Sequence, residues 1–215
     1  MEQRTESRIP PAATILAVLA LLFAVPHHIE VLPMWMSHAV ALAILVPMAA
    51  IAFARTNVAR WLRVERTMIQ FFAGVYVLNT AAELADMVGI ITLHRPETRA
   101  VSLLSSSLAI WVTNVLAFGL VYWQIDRGGP YAKATGTQRK PDWQFPQPES
   151  AEDRVPDWQP RFVDYLFLAF NTATAFSPTD ALPLTQRAKL LMMLESTISL
   201  VTLVVVAARA INVIP

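Results

Sequence analysis

The chain has 215 residues, 55% hydrophobic and 15% charged, with a formal net charge of +1 and a mean hydropathy of +0.44. So even a charge balance gives no basis for nucleic-acid binding, and the absence of cysteine excludes disulfides, thiolate metal sites and thiol catalysis. Val31 to Ala54 and Ala100 to Ile125 carry no charged side chain, and about 20 apolar residues suffice to cross the hydrocarbon core, so an all-α, polytopic bundle in the lipid bilayer is expected.

Five spans are expected, at 11–32, 36–54, 67–92, 100–124 and 186–212, with a half-span at 163–176. The first begins at an apolar run, Ala12 to Val25, flanked by Glu2, Arg4, Glu6 and Arg8. No small-x-small cleavage pattern follows, so a retained span reaching past Pro26 is expected rather than a signal peptide. Pro26 and Pro47 should kink the first two spans. His27, His28, Glu30 and His38 gather around the first turn. Adjacent residues cannot share a helix face, and a solvated loop is favoured over a metal site. Arg55 to Arg66, with Trp61, Leu62 and Val64 among four arginines, has the composition of an interfacial amphipathic helix.

Asn79, Glu83 and Asp86 follow at i, i+4 and i+7 on one face of the third span. A carboxylate at the bilayer centre costs about 3 kcal/mol or more on insertion scales, so Glu83 and Asp86 should look inward. Glu195, in the last span beside Ser196 and Thr197, is the third such acid, and Thr113 and Asn114 are available partners. These groups either carry protons or cations, or form a static hydrogen-bond cluster between helices. For Asn79 the static role is favoured. Ser105, Ser106 and Ser107 suit a small-residue packing face. Arg209 should snorkel to the interface.

The fourth span should close on Tyr122-Trp123 as an interfacial aromatic pair and stop at Gly128-Gly129-Pro130. Three regions result: a four-span bundle over 1–126, a polar proline-rich linker over 127–161, and a terminal unit over 162–215. In the linker, Pro141-Asp142-Trp143-Gln144 is echoed by Pro156-Asp157-Trp158-Gln159, too short a word for a repeat architecture. Each tryptophan should lie on the bilayer surface or pack on the bundle; a vestibule or docking role is the other reading. No Gly-rich phosphate loop, H-E-x-x-H pair or G-x-S-x-G elbow occurs, so neither an enzyme nor a cofactor is expected.

The terminal unit runs as a half-span, a polar turn (Ser177-Pro178-Thr179-Asp180-Ala181-Leu182-Pro183) and a full span. That order is how a re-entrant loop presents itself, and such backbone is tolerated at membrane depth only within protein or beside a water-filled cavity. Phe170 to Thr185 resembles the pore loop of two-helix potassium channels, F-x-T-x-T-T-V-G-Y-G-D-x-x-P-x-T, without a gap. Leu194-Glu195 falls where those channels often have Leu-Glu, and Ser199 at their hinge glycine. The resemblance implies an oligomer, a tetramer or dimer of identical chains; the permeant species, a monovalent cation or a proton, is expected from the side chains of the loop. The two filter glycines are Ser177 and Thr179 here, with Pro178 between them, so a carbonyl ring of the potassium type is not expected. Thr172, Thr174, Ser177 and Thr179 supply hydroxyls instead, Asp180 a carboxylate, and the half-helix a negative C-terminal end. The alternative role for Asp180 is to cap the last helix while the hydroxyls satisfy loop backbone. The whole five-span plan also resembles bacterial inner-membrane proteins of unknown function with a related loop before the last helix.

Alternating spans put fourteen lysines and arginines on the side of the N-terminus and linker, and only Arg95, Arg99 and Arg209 on the other. The positive-inside rule then makes the N-terminus, linker and loop cytoplasmic, the reverse of a potassium-channel loop; either the rule fails in this chain or the module is inverted, and inversion is favoured. The expected function is a channel-like cation or proton pathway; the alternative is a non-conducting scaffold or sensor subunit that reuses the pore module for packing.

Overall fold

A computed structural model of the chain describes residues 9–24, 46, 58–92, 100–147, 158–174 and 181–213. They are mostly helical: α1 (Ile9–Ala24), α2 (Val58–Thr92), α3 (Ala100–Ile125), α4 (Gly129–Thr135), α5 (Phe162–Thr174) and α6 (Gln186–Val213). A two-residue antiparallel ladder, β1 (Trp143–Gln144) with β2 (Leu182–Pro183), pairs Trp143 with Pro183 and Gln144 with Leu182. The fold class is all-α, as the apolar runs led one to expect. Among the described residues, one stretch, Ser107–Thr135 with a mean hydropathy of 1.6, is long and apolar enough to cross a membrane. The expected second span, 36–54, lies outside the described residues except for Val46.

α3 is the hub, packing on α1, α2, α5 and α6. Its buried side chains, among them Val115, Ala117, Phe118, Leu120, Tyr122 and Trp123, run around the helix rather than along one stripe, the pattern of a helix enclosed on all sides. Gly119 permits the closest approach to α5: a β-carbon there would stand 3.2 Å from the Leu166 Cα. The Tyr122-Trp123 pair, expected at the interface, instead lies inside the bundle at 0% and 3% exposure. Tyr122 faces α6, and Trp123 packs edge-on against Phe162 of α5 at 5.7 Å.

The stretch expected as a separate interfacial helix is, from Val58, continuous with the third expected span. No proline interrupts residues 58–92, and at 1.5 Å per residue the helix is roughly 52 Å long, well beyond a hydrocarbon core of about 30 Å. Leu62, Glu65 and Ile69 are buried along one stripe while Arg63 is exposed. α3 ends where the glycines predicted. Arg127 (φ 53°), Gly128 (φ 91°) and Gly129 (φ 69°) turn through the left-handed region, and a β-carbon on Gly129 would collide with the Gln124 carbonyl. The chain then restarts as α4, with Pro130 in its first turn.

Part of the expected linker is built into the bundle. Asp142 and Trp143 are fully buried, whereas Trp158, the described tryptophan of the echo, is half-exposed. Pro156 and Asp157 lie outside the described residues.

Candidate functional site

The candidate site is a buried polar seam between α3 and α6. Asn114, Phe118 and Tyr122 recur every four residues and form one face of α3, and Glu195 and Ser199 do the same on α6. The faces meet in opposite directions. The Asn114 amide donates to the Ser199 hydroxyl at 2.9 Å and to the Glu195 carbonyl at 3.1 Å, and the Tyr122 hydroxyl donates to Glu195 Oε2 at 2.5 Å. Glu195 and Asn114 are 0% exposed. Among the described residues, Glu195 Oε1 and Asn114 Oδ1 meet no hydrogen-bond partner. In so dry a setting an acceptor left open is unusual.

Trp143 covers one flank of the seam. Its ring lies 4.8 Å from that of Tyr122, and its indole N–H points at the Met192 sulfur, 3.3 Å away. The tryptophan is held there by Asp142, the centre of a second network at the end of the bundle. The Asp142 backbone N–H donates to Asp126 Oδ1 at 2.6 Å, and its carbonyl accepts from Leu184 at 2.8 Å. Asp142 Oδ1 accepts from Thr185 Oγ1 and Arg187 Nε, each at 2.6 Å, and Oδ2 pairs with the other arm of the Arg187 guanidinium. Asp126 Oδ2 in turn accepts from the Tyr165 hydroxyl at 2.7 Å. A bidentate arginine and satisfied carboxylates make this a closed latch.

The residues singled out in the sequence fare differently. Ser177, Thr179 and Asp180 lie outside the described residues, as do His27, His28, Glu30 and His38 and the side chains of Asn79, Glu83, Asp86 and Arg209. Thr172 and Thr174 are described, at the C-terminal end of α5. Their hydroxyls donate to carbonyls of their own helix, Leu168 at 2.8 Å and Asn171 at 3.1 Å. The carbonyls at that end are also engaged: Thr172 O accepts from Ser196 Oγ at 3.2 Å and Ala173 O from Trp111 Nε1 at 3.5 Å. The cap of α6 is Thr185, whose hydroxyl accepts from the Ala188 N–H at 3.3 Å.

Glu195 and Asn114 are brought together as their sequence suggested. Tyr122 has the composition signal of an interfacial aromatic, yet its spacing of eight from Asn114 puts both on one face. Asp126, Asp142, Tyr165 and the buried pair Glu65–Gln124 (3.0 Å) were not anticipated. For Asp142 the available signal was the Pro-Asp-Trp-Gln word itself. No group of three His, Asp or Glu side chains among the described residues is placed to hold a metal ion. Compared with protein-family models, with curated proteins and with solved structures, the chain gives no match.

Proposed function

We propose that this chain is a channel-like, multi-span membrane protein that carries protons or a small cation past Glu195. The observation that carries the reading is the half-satisfied carboxylate: Oε2 is anchored by Tyr122 while Oε1, in the same buried seam as Asn114 Oδ1, is open. An ionisable group in a membrane helix is costly to keep, and a proton or ion path is its usual reason. The five spans, the half-span entering from the cytoplasmic side and an assembly of two or four copies belong to the same proposal, with Asp180 at the mouth of the path and Glu83 and Asp86 along it.

Flux of protons, sodium and potassium into proteoliposomes tests this. Flux above protein-free liposomes should fall at least tenfold in Glu195→Gln and also fall in Asp180→Asn. Flux unchanged in Glu195→Gln would move the path out of the seam, and none for any cation, across pH and voltage, would sink it. One observation favours the scaffold reading instead. The α5 carbonyls that would attract a cation are taken by Ser196 and Trp111, and Thr172 and Thr174 donate to their own helix. Protein that is folded and inserted, yet silent for every cation, is what that reading expects.

A further inference from the structure

A recess of about 230 Å³ opens between α5 and the segment that carries β1, and it shares no lining residue with the Glu195 seam. α5 contributes Asp164, Phe167, Leu168 and Asn171, spaced i, i+3, i+4 and i+7 and therefore on one face. The facing wall is Phe145 and Trp158, their ring centroids 6.3 Å apart. Leu168 and Ala181 are buried and form the floor, while Phe167 and Trp158 are exposed and form the rim.

Among the lining residues Asp164 alone is ionisable. One of its oxygens, Oδ2, accepts from the Arg161 backbone N–H at 2.7 Å, and the carboxylate forms no ion pair with a described residue. A carboxylate, an amide and three aromatic rings thus line one small space.

We propose that this recess binds a small organic amine with an aromatic or apolar body, its ammonium on Asp164 and its body between Phe145, Trp158 and Phe167. An ammonium donates charge-assisted hydrogen bonds to a carboxylate, and ring faces attract a cation held near them. The space is below the ~300–1,000 Å³ of drug-sized sites, so the ligand is small. A lipid acyl chain would suit the apolar walls but would set hydrocarbon against the Asp164 carboxylate, which is why the amine is preferred. The proposal does not depend on conduction.

The test is a titration of the full chain in neutral-lipid nanodiscs with phenethylammonium, and with 2-phenylethanol as its uncharged analogue. Calorimetry and tryptophan emission are the readouts, with protein-free discs subtracted. Phenethylammonium should bind saturably, change the emission of the parent protein but not of Trp158→Phe, and weaken at least tenfold in Asp164→Asn. That variant keeps an acceptor for the Arg161 N–H, so the start of α5 is preserved, and it should leave the alcohol unaffected. Ala181→Leu, which fills the floor, should abolish binding of both. Equal binding of amine and alcohol with no response to Asp164→Asn would overturn the proposal, as would native lipid retained in the recess with no saturable amine binding.

Discussion

Two of the buried carboxylates, Asp142 and Glu195, are treated in opposite ways. Asp142 sits at the end of the bundle with every polar group engaged: its carboxylate by Thr185 and Arg187, its N–H by Asp126, its carbonyl by Leu184. Glu195 sits between α3 and α6 with one oxygen anchored and the other open. Both are fully buried, so burial alone does not tell a structural acid from a functional one. Satisfaction does. A closed network holds one geometry, whereas an open acceptor keeps the capacity to take a proton or a ligand.

That contrast is best broken at the latch. Trp143→Ala should have the largest effect on stability, destabilising by about 3–5 kcal/mol through the cavity left beside Tyr122 and Met192, as read by unfolding in mixed micelles. Asp142→Ala should follow at about 3 kcal/mol, the low end for breaking a buried pair because Arg187 is partly solvated. If either variant left stability unchanged while abolishing flux, the latch would belong to the pathway and the contrast would collapse.

The seam should respond in the opposite sense. Glu195→Gln keeps an acceptor for Tyr122 and removes the ionisable group, so its stability should stay within about 1 kcal/mol of the parent while flux falls. A loss as large as that at Asp142 would make Glu195 a structural acid as well. Ser199→Ala, which removes one partner of Asn114, should show the smallest change, about 0.6 kcal/mol, the average for hydrogen bonds between membrane helices. Measured by the same unfolding assay, a loss several times greater would show that the seam acts as one cooperative network.

Much of the helical framework was legible from local properties. The charge-free run at 100–124 became α3, the glycine pair stopped it, and the short apolar segment before the polar turn became the 13-residue α5. Where the reading missed, the reason was one of partners. Tyr122-Trp123 has the composition of an interfacial pair, and nothing within the span says that α5 and α6 will enclose it. The linker is polar by count, yet Asp142 and Trp143 are buried because Asp126, Thr185, Arg187 and Met192, distant in the chain, surround them.

By itself the sequence determined the helices at 100–125, 162–174 and 186–213, the glycine stop after the first of them, and that Asn114 and Tyr122, or Glu195 and Ser199, would share a face. Those properties follow from the 3.6-residue period and from backbone sterics, which act over a few residues. Only the tertiary structure decided that the two faces meet, joining Tyr122 to Glu195 across 73 positions and Arg187 to Asp142 across 45. A face announces that it needs a partner, but the choice of partner is settled when all the helices compete to bury theirs at once.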